Sequence, residues 1–231
     1  MNPPSVMTRP GGTAAPGGPS SPLPLAVLLS GSGRTLENLL AAIDGGGLAA
    51  RVEVVVSSRA GVRGLAVAAA RGTPAHTIER RRFADDAAFS AAVYAAIAPH
   101  APGLIVLAGF LCRLAIPPEW EGRIVNIHPS LLPAFGGRGM YGRRVHEAAL
   151  AYGVKVSGCT VHVVDQEYDH GPIILQRAVP VLDDDTPDSL GARVFAAECA
   201  LYPEAIALFA AGRLALDGRR VRLLDPAGRG A

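Results

Sequence analysis

Five consecutive apolar residues, Leu25-Ala26-Val27-Leu28-Leu29, run without a polar break into Ser30-Gly31-Ser32-Gly33-Arg34-Thr35. Beyond that turn the apolar positions fall three and four apart, at Leu36, Leu39, Leu40 and Ile43, until Gly45-Gly46-Gly47 stops them. A strand buried on both faces, a glycine turn and an amphipathic helix, in that order, restrict a chain to the parallel α/β architectures. Unpaired amide hydrogens and the positive end of the helix dipole converge at such a turn, so it is an anion site and phosphate is its natural guest. A tight turn without a ligand is the plainer alternative, because Gly-x-Gly alone is a weak signal.

The pattern repeats. A second strand is expected at Val52–Val56, a helix from Val62 to Arg71, a strand from Ala75 to Ile78, and a helix carrying Phe89, Val93 and Ile97 four residues apart. Gly103 to Phe110 reads as another buried strand, with the small residues Ala108 and Gly109 at its carboxyl end, where a flat ligand can approach the backbone. Alternating strands and helices predict a doubly wound, mostly parallel sheet with right-handed crossovers. A dinucleotide-binding version would want a third glycine near Leu36 and an acidic residue after the second strand. Neither is present. Ser57-Ser58-Arg59 stands there instead, and Arg59 keeps an NADP 2′-phosphate partner open as a rival reading.

The β-branched run from Gly122 to Pro133 delivers Asn126 and His128, which share a strand face with Ile124, while Val125 and Ile127 point the other way. Pro129 cannot continue a central ladder, so His128 is placed at a strand's carboxyl end, where open α/β sheets bind ligands. Imidazole exchanges protons near neutral pH, and a carboxamide donates to a developing oxyanion without changing charge; together they suit acyl or formyl transfer. In isolation, Asn-x-His is better read as a turn cap and a satisfied histidine beneath a proline loop.

Past this point a flexible loop is expected at Gly136 to Met140, a helix from Tyr141 to Tyr152 and a strand from Val154 to Val164. An acid-rich turn spans Asp165 to Pro172, and a strand follows from Ile173 to Val181. A long helix begins at Thr186-Pro187-Asp188 and runs to about Gly212. Asp217-Gly218 between two apolar segments reads as a terminal hairpin. His162 reads as a structural strand residue and His146 as a solvent-facing helix residue, and the histidines show no metal-ligand spacing, so no metal is expected. Residues 1–23, rich in Pro, Gly, Ser and Ala, read as a disordered tail, and Met7 is an alternative start.

A net charge of +2 with 5% aromatic residues gives no nucleic-acid surface, and no apolar run approaches the ~20 residues that span a bilayer. Three widely spaced cysteines, Cys112, Cys159 and Cys199, argue for a reducing cytoplasm rather than a disulfide framework or zinc site.

Taken together, four motifs resemble those of the phosphoribosylglycinamide formyltransferases: Ser30-Gly31-Ser32-Gly33, Leu107-Ala108-Gly109-Phe110, Asn126-Ile127-His128-Pro129-Ser130-Leu131-Leu132-Pro133, and Asp169-His170-Gly171-Pro172-Ile173-Ile174-Leu175-Gln176. The likeness covers about residues 24–216, which it marks as a catalytic domain followed by a hairpin and tail at 217–231. The third motif is shared with other users of 10-formyltetrahydrofolate, including methionyl-tRNA formyltransferase and formyltetrahydrofolate deformylase. The resemblance implies a Rossmann-like formyltransferase fold. It implies transfer of the formyl group of 10-formyltetrahydrofolate, as co-substrate, to the amine of 5-phosphoribosylglycinamide in purine biosynthesis. It also implies small-molecule substrates, a cytoplasmic monomer or homodimer, and no nucleic-acid or membrane partner.

Residue by residue, the likeness makes Asn126, His128 and Asp169 the catalytic trio. It makes Ser30, Gly31, Ser32, Gly33, Arg34 and Thr35 the phosphate loop, and Glu198 a carboxylate against the ribonucleotide. Leu111, Cys112, Arg113 and Leu114, with Asn126 and Asp165, Gln166, Glu167, Tyr168 and Asp169, would line the folate pocket. Two departures stand out: Arg113 lies one place later than the arginine of many relatives, and Asp85 and Asp86 occupy the region of a folate-side arginine. Independently of any family, an aspartate within about 4 to 6 Å favours a charged imidazole. Formyl transfer between nitrogens must also move a proton from the attacking to the leaving nitrogen.

Overall fold

The structure, a computed structural model, describes residues 5–7 and 21–225. Ten strands form one sheet: β1 (Ser5–Val6), β2 (Leu23–Leu29), β3 (Ala50–Ser57), β4 (Ala75–Thr77), β5 (Leu104–Leu107), β6 (Ile124–His128), β7 (Val156–Val163), β8 (Ile173–Pro180), β9 (Leu214–Asp217) and β10 (Arg220–Leu223). Five helices connect them: α1 (Arg34–Asp44), α2 (Arg63–Ala70), α3 (Asp86–Ile97), α4 (Arg143–Tyr152) and α5 (Pro187–Ala210). The spatial order is β1-β9-β10-β8-β7-β6-β5-β2-β3-β4. From β6 to β4 every pairing is parallel, as the alternating pattern predicts.

The reason lies in the apolar runs. In β2, Leu25, Val27 and Leu29 enter the core beneath α1 and α5, while Ala26 and Leu28 enter the core beneath α3. β5 divides the same way, with Leu104 and Val106 on one side and Ile105 and Leu107 on the other. A strand covered on both faces needs an unbroken apolar sequence. The strand order reverses between β2 and β5, which opens a crevice at the carboxyl ends of β2, β5 and β6.

Two features depart from the sequence reading. β7 pairs antiparallel to both β6 and β8, a reversal that the period-2 pattern cannot reveal because both faces of β7 are buried. Within the expected disordered tail, Ser5–Val6 pairs with β9 and Met7 is 5% exposed, its amide donating to the Leu214 carbonyl at 3.0 Å. Leu23, placed in the tail by its neighbours' composition, is the first residue of β2 and fully buried. Residues 1–4 and 8–20 of that tail lie outside the described residues, as do 226–231.

α1 and α5 are joined by a compensation. Pro203 inside α5 has no amide hydrogen to give the Cys199 carbonyl four residues earlier, and Asn38 of α1 donates to that carbonyl at 2.9 Å instead. The buried Tyr202 hydroxyl donates toward the Leu107 and Val125 carbonyls at 2.9 and 3.0 Å, which seats α5 on β5 and β6.

Candidate active site

β6 places its residues as alternation requires: Val125 and Ile127 enter the core under α5, and Asn126 and His128 project from the face of Ile124. The antiparallel register sets His162 of β7 directly opposite Asn126. His162 Nδ1 lies 2.9 Å from the Val163 carbonyl, so the proton sits on Nδ1 and Nε2 accepts from Asn126 Nδ2 at 3.1 Å. The same Asn126 Nδ2 donates to Asp169 Oδ1 at 3.4 Å. His128 directs Nε2 to the Phe135 carbonyl at 2.9 Å and Nδ1 to Asp169 Oδ1 at 3.4 Å. Asn126, His128 and Asp169, expected together from sequence, therefore meet at a single carboxylate oxygen.

Asp169 comes from the turn between β7 and β8, where its φ of 53° is left-handed. That turn is held close to the strand: a methyl on Gly171 would fall 1.8 Å from the Val163 carbonyl oxygen. The other Asp169 oxygen accepts the Gly137 amide at 2.9 Å. Burial opposes its ionisation, but the hydrogen bond from His128, the His162 ring 3.8 Å away, the His128 charge and the Gly137 amide outweigh burial. Together they hold the carboxyl well below the usual range. The acid-rich turn thus leaves the Asp169 side chain only 11% exposed and Glu167 in solvent.

Two clefts adjoin here, sharing Leu111, Gly137, Arg138 and Tyr168 in their walls. The first, about 860 Å³, is lined by Asn126, His128 and Asp169, by Arg34 and Thr35 at the start of α1, and by Glu198 of α5. Desolvation pushes the Glu198 carboxyl up to about 7, against the charges of His128 and Arg34. The Arg34 guanidinium lies 3.7 Å from the Phe195 ring centroid. The second cleft, about 790 Å³, is lined by Leu111, Cys112, Arg113, Gln166, Glu167 and Tyr168, with Arg80 and Arg138 beside them.

Not every expected residue faces a cleft. Ser30 is 2% exposed, and its hydroxyl bonds Ser58 at 2.6 Å and accepts the Leu111 amide at 2.9 Å, tying the ends of β2, β3 and β5 together. Gly31, Ser32 and Gly33 shape the loop behind Arg34 and Thr35 and do not line the cleft. Gly33 adopts φ 75°, and a methyl there would fall 2.6 Å from the Gly64 Cα of α2. Leu114 is 3% exposed and packs in the core beside Phe110, and Asp165 serves its own turn by accepting the Glu167 amide at 2.9 Å. Asp85 caps α3 through the Ala88 amide at 2.8 Å, and Asp86, in the wall of the second cleft, pairs with Arg80 at 2.7 Å. Arg59 lies outside both clefts, its backbone bonded to the Ser57 hydroxyl.

Sequence reasoning missed two histidines. His162 joins the cluster of Asn126 and Asp169, and only the unforeseen antiparallel register reveals it. His146, expected in solvent, is 6% exposed and lines the first cleft, packed where Gly191 of α5 leaves room for its ring. Burial, then the nearby His128, lowers its pKa below the ordinary histidine value.

The profile of the formyl transferase family matches residues 23–206. The chain belongs to the formyl transferase family. Among relatives of this formyl transferase are the phosphoribosylglycinamide formyltransferases of Mycobacterium tuberculosis and Escherichia coli. The first is 40% identical over 89% of this chain and 96% of that protein, the second 38% identical over 85% and 95%. The trifunctional purine biosynthetic protein adenosine-3 of Gallus gallus is 42% identical over 81% of this chain, which spans only 18% of that longer protein. A crystal structure of glycinamide ribonucleotide transformylase 1 from Symbiobacterium toebii superposes with a TM-score of 0.82 at 44% identity, covering 89% of this chain and 95% of the other. The candidate site lies at the switch point of a mostly parallel sheet flanked by helices, which is the fold expected from sequence. Among the described residues, no helix is long and apolar enough to cross a membrane, and no group of three or more His, Cys, Asp or Glu is placed to hold a metal.

Proposed function

We propose that this chain transfers the formyl group of 10-formyltetrahydrofolate to the amine of 5-phosphoribosylglycinamide in purine biosynthesis. The observation that carries the reading is the convergence of Asn126 and His128 on Asp169 Oδ1, each at 3.4 Å, in the wall of the first cleft, which shares Leu111, Gly137, Arg138 and Tyr168 with the second. The first cleft suits the ribonucleotide: free amides at the start of α1 with Arg34 take the phosphate, and Glu198 takes ribose hydroxyls. The second suits the folate, with Arg80, Arg113 and Arg138 available to its carboxylates.

The amine of the ribonucleotide attacks the formyl carbon, the carbonyl becomes an oxyanion, and the bond from that carbon to folate N10 breaks. One proton leaves the attacking nitrogen and one arrives at N10. Asp169, held ionised, is the acceptor through which that proton passes. Both Asn126 N–H directions are engaged by His162 and Asp169 in the free protein. Donation to the oxyanion therefore exchanges the longer contact, at 3.4 Å, for substrate. His128 likewise exchanges the Phe135 carbonyl for substrate. The same reading places the protein in the cytoplasm, as a monomer or homodimer acting on small molecules without a metal.

Mixing the protein with both substrates should release tetrahydrofolate only when the ribonucleotide is present. Release of formate without the ribonucleotide would favour a deformylase, and no release under either condition would overturn the reading.

A further inference from the structure

Asp169 is an aspartate in a left-handed conformation, which persists only where its surroundings over-determine it. On one side it is fixed by the Gly137 amide. The other side of its turn is held from an unexpected place, the hairpin of β9 and β10, which lies beyond residue 206, where the family profile ends. Arg219, at the tip of that hairpin, donates through Nη2 to the His170 carbonyl at 2.6 Å, and its Nη1 lies 3.0 Å from His170 Nε2. The opposite ring nitrogen, Nδ1, lies 2.7 Å from Asp165 Oδ2. A neutral His170 with its proton on Nδ1 satisfies both neighbours at once, accepting from Arg219 and donating to Asp165. The next hairpin residue, Arg220, pairs with Ile173 as β8 begins, so the turn from Asp165 to Gly171 is gripped near its end, one residue past Asp169, and at its exit.

We propose that Arg219 is a positioning residue that sets the placement of Asp169 against His128. The proposal rests on the reading of Asp169 as catalytic. His170 follows Asp169 directly in the chain, so freeing its carbonyl and ring frees the peptide that carries the carboxylate. The contacts are partly exposed and contribute little to global stability. Their consequence therefore falls on geometry rather than on the melting temperature. Displacement of a catalytic group by about 1 Å costs on the order of 100-fold in rate, and a loosened turn costs less.

The test compares Arg219→Ala, Arg219→Lys and Asp169→Asn, with Arg222→Ala as a hairpin control that breaks only the ion pair to Asp217. Arg219→Ala should lower kcat about 10-fold, leave KM for the ribonucleotide within about 2-fold, and broaden or shift the NMR signal of the His128 ring N–H that faces Asp169. Arg219→Lys, which keeps one donor for the His170 carbonyl, should recover part of both, and Arg222→Ala should change neither. An unchanged His128 signal and kcat in Arg219→Ala overturn the proposal, as does an equal loss in Arg222→Ala. If Asp169→Asn turns over normally, the catalytic reading of Asp169 fails. The His128 signal still decides whether Arg219 positions the turn.

Discussion

One oxygen, Asp169 Oδ1, serves Asn126 and His128 at 3.4 Å each and has His162 Nε2 at 3.8 Å. Asn126 and His128 were legible before the structure, because a strand that stops at proline after Asn-x-His marks a carboxyl end open to a ligand, whereas Asp169 was expected only from the family resemblance. The partner histidine was not, because His162 faces Asn126 only through an antiparallel register that no local pattern encodes. Glu198 shows how burial at this scale becomes a measurable pH effect. Its carboxyl ionises at about 7 in the folded chain, whereas a glutamate in the unfolded chain ionises near about 4.3. Between those values the folded state holds a proton that the unfolded state has lost, so stability falls as pH rises through that window. Glu198→Gln should therefore melt close to the parent at about pH 4 and roughly 4 to 8 °C above it at about pH 8. That gain follows from roughly 2 kcal/mol, reduced from the full shift because the side chain keeps some contact with cleft solvent. Thermal melts at the two pH values check this. A constant offset would show that the effect does not come from ionisation.

The loop between β2 and α1 was read as an anion cradle, and the structure adds a packing role to it. Gly33 cannot carry a side chain without meeting the Gly64 backbone at 2.6 Å, while a methyl on Gly31 would meet nothing within 4 Å. Gly33→Ala should thus lower the melting temperature by at least about 4 °C, and Gly31→Ala should leave it within about 2 °C. Equal shifts in the two would refute the close approach. Elements with a plain period were legible: the Phe89, Val93 and Ile97 stripe lies on the buried face of α3, and the apolar run 104–107 is β5. α4 was less so. Its inward face is Val145, His146 and Ala149, and a polar ring there gives no sign of the space left by Gly191, a residue 45 positions away in sequence.

For the whole molecule, composition misjudged the amino-terminal segment. Proline and glycine dominate residues 1–23, yet Met7 fills a gap beside Leu214 at the sheet edge. Burying a methionine side chain stabilises by about 1.5 to 3 kcal/mol. Deleting residues 1–7 should therefore lower the melting temperature by roughly 4 to 8 °C while kcat, set at the far side of β6, stays within about 2-fold. A truncated protein that melts with the parent would show that this edge strand contributes nothing. The Asn38 tether between α1 and α5 reaches further still. The phosphate end of the proposed site sits at the start of α1 and the ribose end at Glu198, one residue before the carbonyl that Asn38 grips. The two helices therefore act as the jaws of a calliper locked at one opening. On the proposed reading, the cleft would then select among phosphorylated amines by the span between phosphate and sugar, before any chemistry at the amine begins.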